Sequence, residues 1–151
     1  MSISIFNIAV LVSGRGSNLQ AIIDNIERKE LDVNLSVVIS DKKEAAALER
    51  AKKNGIKTIF IDPMAYLNSQ EYDKELIKNL RELSVDLICL AGYMRILGKE
   101  VIENFDRKII NIHPSLLPAF PGLNAQKQAI KYGVKFSGCT VHFVDSGIDT
   151  G

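Results

Sequence analysis

Residues 8–26 read Ile-Ala-Val-Leu-Val-Ser-Gly-Arg-Gly-Ser-Asn-Leu-Gln-Ala-Ile-Ile-Asp-Asn-Ile. The first five residues form a continuous apolar run rich in β-branched side chains, which is typical of a buried strand in a parallel sheet. After the glycines, apolar residues recur at Leu19, Ile22, Ile23 and Ile26, which is the spacing of one face of a helix. The stretch is therefore predicted to be a strand, a tight turn and a helix.

The same alternation repeats along the rest of the chain, and it predicts the fold class. Alternating βα units of this length predict an α/β fold, a Rossmann-like, doubly wound and mainly parallel sheet with helices on both faces. We expect a single domain over residues 1–151, because no repeat, low-complexity segment or linker divides the chain. The further predicted strands are 33–40, 57–61, 86–91, 108–112 and 136–144, and the further predicted helices are 44–54, 69–83, 99–105 and 125–132.

Composition and charge exclude several classes of protein. The chain has 151 residues, of which 46% are hydrophobic and 25% charged, and its formal net charge is +1. Its charges are interspersed and form no basic stripe that would favour nucleic acid or a membrane as partner. Cys89 and Cys139 lie far apart in apolar segments without metal-ligand spacing, which indicates two reduced core thiols. With no targeting segment and no apolar run of membrane-spanning length, we expect a cytoplasmic protein.

The glycine-rich turn, Ser-Gly-Arg-Gly-Ser-Asn at residues 13–18, has the features of a phosphate-binding loop. Glycines let the backbone approach a ligand closely, and the free N–H groups at the start of the next helix attract anions. Ser17 or Asn18 can cap this helix or donate to a ligand, and Arg15 adds charge. The alternative is a plain βα turn of small residues. The P-loop and dinucleotide patterns fit poorly, although Asp41 could be the ribose-binding acid of a dinucleotide fold.

A second candidate site lies at the end of the predicted strand 108–112. Asn111 and His113 are two positions apart, so they point to the same face, and Pro114 biases His113 toward an extended backbone. An amide beside an imidazole can hold the negative charge that develops on a carbonyl oxygen under nucleophilic attack, as acyl transfer requires. The alternative is a packed histidine under a proline turn. No second His, Cys or acid stands at metal-ligand spacing, so no metal is predicted.

Two more segments could complete a site. Residues 91–97, Ala-Gly-Tyr-Met-Arg-Ile-Leu, could form a wall for a planar heterocycle or could simply fill the core. Asp145 and Asp149 flank a Ser-Gly turn, and either acid could stabilise protonated His113 or could be a solvated turn residue. His142 lies within a strand pattern and is interpreted as a packed sheet residue.

Together, four segments resemble the glycinamide ribonucleotide formyltransferases (phosphoribosylglycinamide formyltransferases), a family of folate-dependent enzymes. They are residues 13–18, residues 91–97, the run Asn-Ile-His-Pro-Ser-Leu-Leu-Pro-Ala-Phe-Pro-Gly at 111–122, and Val-His-Phe-Val at 141–144 followed by Asp149. The Asn-x-His-Pro-Ser-Leu-Leu-Pro pattern is highly specific to the folate formyltransferases. The resemblance runs along essentially the whole chain.

The resemblance implies transfer of a formyl group from 10-formyltetrahydrofolate, the co-substrate, to the amine of glycinamide ribonucleotide in de novo purine (IMP) synthesis. The implied mechanism is direct attack of the amine on the formyl carbon, with the oxyanion held by the amide and by a protonated imidazole. The carboxylate keeps the imidazole charged and receives the amine proton. The implied catalytic residues are Asn111, His113 and Asp149, the substrate-binding residues are Gly16, Ser17 and Asn18, and the folate-binding residues are Met94, Arg95, Ile96, Leu97, Asn111, Asp145 and Asp149.

The chain departs from the family pattern in three places. Asn124 stands where members usually carry a His, and Ser69 stands where some members carry an Arg that touches the folate tail. The family normally continues beyond the position of Gly151 through another strand and helix. We therefore expect a single formyltransferase domain that is truncated at its C-terminal end.

Several other functions stay open from the sequence. Formyltetrahydrofolate hydrolase and methionyl-tRNA formyltransferase share the Asn, His and Asp set, but the glycine-rich loop and the Phe-Pro-Gly continuation favour the purine enzyme. A non-catalytic nucleotide-binding module could contain the same glycine-rich loop, with Asp41 as its ribose contact. The expected partners are glycinamide ribonucleotide and the folate, without nucleic acid or membrane, in a monomer or homodimer.

Overall fold

The computed structural model describes residues 5–147 and 149–151. In this part of the chain no helix is both long enough and apolar enough to cross a membrane. The strands are β1 (Asn7–Val12), β2 (Asn34–Ser40), β3 (Thr58–Phe60), β4 (Leu87–Leu90), β5 (Ile109–His113) and β6 (Thr140–Phe143). The helices are α1 (Ser17–Glu27), α2 (Ala46–Lys53), α3 (Ser69–Glu82), α4 (Lys99–Asn104) and α5 (Ala125–Tyr132), and a 3-10 turn spans Pro63–Ala65.

The strand order confirms the predicted doubly wound fold. One six-stranded sheet has the order β3-β2-β1-β4-β5-β6, in which β1 to β5 are parallel and β6 is antiparallel to β5. The chain winds outward from β1 to β3 and then returns to place β4 on the other side of β1. In open sheets of this type, ligands bind where the winding reverses, outside the carboxyl ends of the strands. The loops after β1, β4 and β5 all leave the sheet at that edge.

Apolar side chains bury both faces of the sheet, as the continuous hydrophobic runs predict. Ala9 and Leu11 of β1 pack in a cluster with α3 and α4, whereas Ile8, Val10 and Val12 pack with α1 and α2. This alternation follows from the two-residue period of a strand. Each fully buried Val, Leu or Ile side chain stabilises the fold by about 1.5–3 kcal/mol. The two layers therefore hold the strand ends at the carboxyl edge in fixed relative positions.

The predicted last strand is shorter in the structure than in the sequence pattern. The prediction of a strand over 136–144 is wrong at its start, because β6 begins only at Thr140. Thr140 pairs with His113, the last residue of β5, and Pro114 beyond it has no N–H to donate to a ladder. Residues before Thr140 therefore have no partner in β5.

The two cysteines differ in environment. Cys89 in β4 is partly buried, and burial raises the pKa of its thiol to about 11. Cys139 is exposed. The prediction of two core thiols is therefore wrong for Cys139, which lies just outside the ladder that ends at Thr140.

Candidate active site

Gly16 shapes the turn between β1 and α1. Its φ is 75°, in the left-handed region, and a Cβ added there would lie 2.6 Å from the Cβ of Ala47 in α2. Only glycine combines this backbone conformation with such close packing. Gly16 is also the N-cap of α1 and no side chain caps this helix, so capping, one of the two roles open to Ser17 and Asn18, is not observed. The N–H groups of the first helical turn remain available to an anion.

Helix α2 fixes the glycine-rich loop from the outside. The N–H of Ala47 donates to the carbonyl oxygen of Gly14 at 3.1 Å, and Nε of Arg50 donates to the carbonyl oxygen of Arg15 at 2.8 Å. Nη1 of Arg50 also donates to Oε1 of Gln20 at 3.3 Å. These contacts restrict the loop before a ligand arrives, which reduces the entropy lost on binding.

Asp41 follows β2, but it is not available as a ribose-binding acid. The residue is 4% exposed, and its Oδ1 accepts a 2.5 Å hydrogen bond from Oγ of Ser13. The same Oγ accepts a 2.9 Å hydrogen bond from the N–H of Met94. A ribose-binding carboxylate must be open to its ligand. The position of Asp41 therefore disfavours the dinucleotide-binding alternative.

The loop after β4 forms one wall of a cavity of about 170 Å³ at the carboxyl edge. Arg95, Ile96 and Leu97 of this loop line the cavity, and so does Tyr93. Met94 is not part of the lining, and its side chain is 68% exposed. The structure thus places three of the four predicted folate-contacting residues of this loop at the cavity wall.

Helix α3 supports this wall from behind. The hydroxyl groups of Tyr72 and Tyr93 are 2.7 Å apart, and the Arg95 guanidinium lies 4.4 Å from the centre of the Tyr72 ring. The N–H of Gly98 donates to Oδ2 of Asp73 at 3.1 Å. Burial raises the pKa of both tyrosines, so the two hydroxyl groups stay neutral and can share a hydrogen bond. These contacts give the cavity a rigid aromatic and cationic wall.

The other part of the cavity carries a polar cluster at the end of β5. Nδ1 of His113 lies 3.3 Å from Oδ2 of Asp149, and Nε2 of His142 lies 3.8 Å from Oδ1 of the same carboxylate. The three side chains are only 5%, 12% and 7% exposed, respectively. The N–H of Gly122 fixes the carboxylate with a 2.7 Å hydrogen bond to Oδ2. Asn111 joins the cluster through Nδ2, which lies 3.3 Å from Nε2 of His142.

Both ring nitrogens of His113 face hydrogen-bond acceptors. Nδ1 faces Asp149, and Nε2 lies 2.8 Å from the carbonyl oxygen of Phe120. A carboxylate oxygen and a carbonyl oxygen can only accept, so a ring with hydrogen on both nitrogens donates to both partners. His113 does not line the cavity, whereas Asn111 and Asp149 do. The imidazole therefore acts on the cavity from behind the carboxylate.

His142 is the member of the cluster that the sequence analysis missed. It is packed in the sheet as interpreted, but the antiparallel pairing of β6 with β5 places it directly opposite Asn111. Its Nδ1 lies 3.0 Å from the carbonyl oxygen of Phe143. A hydrogen on Nδ1 satisfies that contact and leaves Nε2 free to accept from the Asn111 amide. His142 thereby sets which way the Asn111 amide points.

The remaining predicted residues lie at the rim of the site. Asp145 lines the cavity, and hydrogen bonds from the Thr150 hydroxyl and the Gly147 N–H lower its pKa. Ile148, which lies between these two predicted acids, Asp145 and Asp149, is outside the described residues. Across residues 5–147 and 149–151, no group of three or more His, Cys, Asp or Glu side chains is arranged to hold a metal ion.

The two positions that depart from the family pattern are both exposed. Asn124 is the N-cap of α5 and has a left-handed φ of 56°, a conformation that asparagine tolerates better than most residues. Its side chain makes no capping hydrogen bond to the helix. Ser69 is the first residue of α3, next to the N-cap Asn68, whose Oδ1 accepts from the N–H of Glu71 at 2.9 Å.

Fold and site together define a class: a doubly wound α/β protein with a glycine-rich loop before its first helix and an amide–imidazole–carboxylate cluster beside a cavity. The formyl transferase family model matches residues 6–151. A phosphoribosylglycinamide formyltransferase of Bacillus subtilis is 45% identical over 143 residues, which make up 95% of this chain and 73% of that protein. The chain belongs to the formyl transferase family.

A solved structure and a longer relative agree with this assignment. The crystal structure of glycinamide ribonucleotide transformylase 1 from Symbiobacterium toebii matches with a TM-score of 0.95 at 49% identity, over 97% of this chain and 69% of that chain. The trifunctional purine biosynthetic protein adenosine-3 of Drosophila melanogaster is 49% identical over 146 residues. The matched residues make up 95% of this chain but only 11% of the Drosophila protein.

Proposed function

We propose that this protein transfers the formyl group of 10-formyltetrahydrofolate to the amine of glycinamide ribonucleotide, a step of de novo purine synthesis. The observation that carries the proposal is the cluster of Asn111, His113 and Asp149 beside the cavity at the carboxyl edge. Its support is the 45% identity to a relative named phosphoribosylglycinamide formyltransferase.

The glycine-rich loop binds the phosphate of the ribonucleotide. Gly16, Ser17 and Asn18 stand at the start of α1, where N–H groups without intrahelical partners carry partial positive charge. The side chains of Ser17 and Asn18 are exposed and can add a hydroxyl and an amide donor. The phosphate thus anchors the nucleotide with its amine directed along the carboxyl edge toward β5.

The folate ring occupies the cavity between the loop after β4 and the segment formed by residues 144–147 and Asp149. Ile96 and Leu97 supply apolar contacts, and Arg95 and Asp145 supply charged groups that can recognise the polar edge of a heterocycle. Met94 contacts the folate from the rim, because its side chain is exposed beside the lining residues. The formyl group then points toward the cluster at the end of β5.

The chemistry follows from the cluster. The amine nitrogen attacks the formyl carbon, and the resulting oxyanion accepts a hydrogen bond from the Asn111 amide hydrogen that His142 does not bind. Protonated His113 adds positive charge from behind Asp149 and keeps that carboxylate in place. Asp149 receives the proton of the attacking amine through a water molecule and passes it to the folate nitrogen, as the bond from the formyl carbon to that nitrogen breaks. The folate is a co-substrate, and the mechanism needs no metal.

We also propose where the enzyme works and with which partners. We place the enzyme in the cytoplasm, as a single formyltransferase domain over residues 1–151. It works as a monomer or homodimer without a nucleic-acid or membrane partner. The formal net charge of +1 and the interspersed charges support this setting.

The test is an assay of acceptor dependence. The protein is mixed with a 10-formylfolate and glycinamide ribonucleotide, and release of the deformylated folate is followed spectroscopically. Glycinamide alone, which offers the same amine without ribose phosphate, is the matched control. The proposal predicts turnover with the ribonucleotide and little with glycinamide. Folate deformylation at the same rate without any acceptor would instead identify a hydrolase, and no deformylation at all would contradict both.

A further inference from the structure

We propose that Ser13 and Asp41 couple the two substrate-binding loops, so that the ribonucleotide and the folate bind cooperatively. The inference rests on the proposed function, because it assigns the loop after β1 to the nucleotide and the loop after β4 to the folate. Ser13 and Asp41 act as positioning residues in it. They contact neither the amine nitrogen nor the formyl carbon that react.

Ser13 connects the two loops directly. It is the first residue after β1, and its N–H donates to the carbonyl oxygen of Gly92 at 3.2 Å. Its Oγ accepts a 2.9 Å hydrogen bond from the N–H of Met94. Two hydrogen bonds thus join the residue that begins the glycine-rich loop to the backbone that forms the cavity wall. A shift of either loop must stretch these bonds.

Asp41 fixes the direction of the Ser13 hydroxyl. Its carboxylate accepts the hydroxyl hydrogen at 2.5 Å, which leaves a lone pair of Oγ for Met94. Asp41 is 4% exposed, and a buried carboxylate is destabilising unless it is hydrogen-bonded. The hydroxyl therefore cannot rotate away without leaving a buried charge unpaired. Since Asp41 neither lines the cavity nor faces solvent, this contact with Ser13 is its role in the site.

Such a connection produces cooperativity by ordering. When the first ligand holds one loop, the hydrogen bonds through Ser13 hold the other loop in its binding conformation, and the second ligand then loses less conformational entropy. The effect is reciprocal, because each ligand must raise the affinity for the other by the same factor. Couplings of this kind typically amount to about 5- to 150-fold in affinity.

The experiment measures that factor by isothermal titration calorimetry. The ligands are glycinamide ribonucleotide and 5,8-dideazafolate, which has no formyl group to transfer, and each is titrated alone and in the presence of the other. The variants are Ser13→Ala, which removes the bridging hydroxyl, and Ser36→Ala as matched control. Ser36 is a hydrogen-bonded serine of β2 that contacts Asn7, away from both loops.

The expected result is a coupling factor of about 5 or more in the wild type and in Ser36→Ala, and a clearly smaller factor in Ser13→Ala, which keeps only the backbone bond to Gly92. The affinities of Ser13→Ala for the single ligands should change much less than the coupling factor. Full coupling in Ser13→Ala, or independent binding in the wild type, would overturn the inference and leave the proposed function standing. A wild-type protein that binds neither ligand would overturn the proposed function itself.

A measurement on the wild type keeps the test valid if Ser13→Ala does not fold. Hydrogen exchange of the Met94 amide reports its bond to Ser13. Binding of the ribonucleotide alone should slow exchange at Met94, although that residue belongs to the folate loop. Unchanged exchange at Met94 in the nucleotide complex would contradict the coupling.

Discussion

The two ends of the sheet both carry a cavity, but only one of them carries an arrangement suited to catalysis. At the amino end a cavity of about 800 Å³ is lined by Asn7, Asn34 and Ser36, whose side chains hydrogen-bond to one another. At the carboxyl end the cavity measures about 170 Å³, but Asn111, His142 and Asp149 line it. Volume is therefore the poorer guide to function here. The smaller cavity is distinguished by an amide, an imidazole and a carboxylate that lie close to one another.

The difference has a topological origin. Parallel strands send the loops after β1, β4 and β5 to one edge, and the helix dipole of α1 points its positive end there as well. At the amino edge, amide and hydroxyl groups mainly satisfy each other and the backbone. The predictions below test this difference, and two of them compare a substitution at the carboxyl end with one at the amino end.

The largest effect is expected for His113→Ala. Loss of the imidazole removes the positive charge behind Asp149 and the partner that holds this carboxylate in place, so kcat should fall by about 10²- to 10⁴-fold, the range of general acid–base groups. Circular dichroism should show a folded protein, since the core layers are untouched. A variant with nearly wild-type kcat would remove His113 from the mechanism.

The next prediction compares two asparagines at opposite ends of the sheet. Asn111→Ala removes the proposed oxyanion donor and should lower kcat by about 10²- to 10³-fold. Asn34→Ala removes an amide that contacts Asn7 at the amino end and should leave kcat near the wild-type value. Steady-state assays at saturating folate and ribonucleotide measure both. Equal losses in the two variants would mean that the comparison between the ends is wrong.

A smaller effect is expected for His142→Ala, because His142 orients Asn111 and does not contact the oxyanion. Its loss of kcat should be smaller than that of Asn111→Ala. The double variant should be no slower than Asn111→Ala alone, since two residues that act through one contact are not additive. A fully additive double variant would show that His142 acts independently of Asn111.

The smallest expected effect is on stability, and it lies within the glycine-rich loop. Gly16→Ala adds a Cβ at a φ of 75° and 2.6 Å from Ala47, so the free energy of unfolding should fall by about 1–3 kcal/mol. Gly14→Ala is the matched control, because no atom lies within 4 Å of the added Cβ. Urea unfolding curves test the pair. Equal stability of both variants would contradict the packing described for this loop.

Most of the fold could be predicted from the sequence because its signals are local. The apolar runs and helical spacings, with Gly16 after the first strand, identified the βα units and the edge at which they converge. The strand pattern also predicted that Asn111 and His113 lie at the end of β5. The sequence left open whether Asp145 or Asp149 contacts His113. In the structure it is Asp149, with 3.3 Å between Nδ1 of His113 and Oδ2 of Asp149.

What the sequence could not predict depends on non-local pairing. His142 contacts Asn111 only because β6 runs antiparallel to β5 in one particular register. The sequence of residues 136–144 alone does not determine that register. The start of β6 was missed for the same reason, since it depends on where β5 ends. The burial of Asp41 under Ser13 likewise required knowing that β1 and β2 are neighbours.

One pair of variants tests the central claim most directly. Asp149 and Asp86 lie at opposite ends of the sheet, and each carboxylate accepts a hydrogen bond from a backbone N–H, at 2.7 and 2.8 Å. Single-turnover formyl transfer should be about 10²- to 10⁴-fold slower in Asp149→Asn, which can neither take a proton nor stabilise the imidazolium. The rate in Asp86→Asn should stay close to the wild-type rate. Similar rates in the two variants would contradict the assignment of the chemistry to the carboxyl edge.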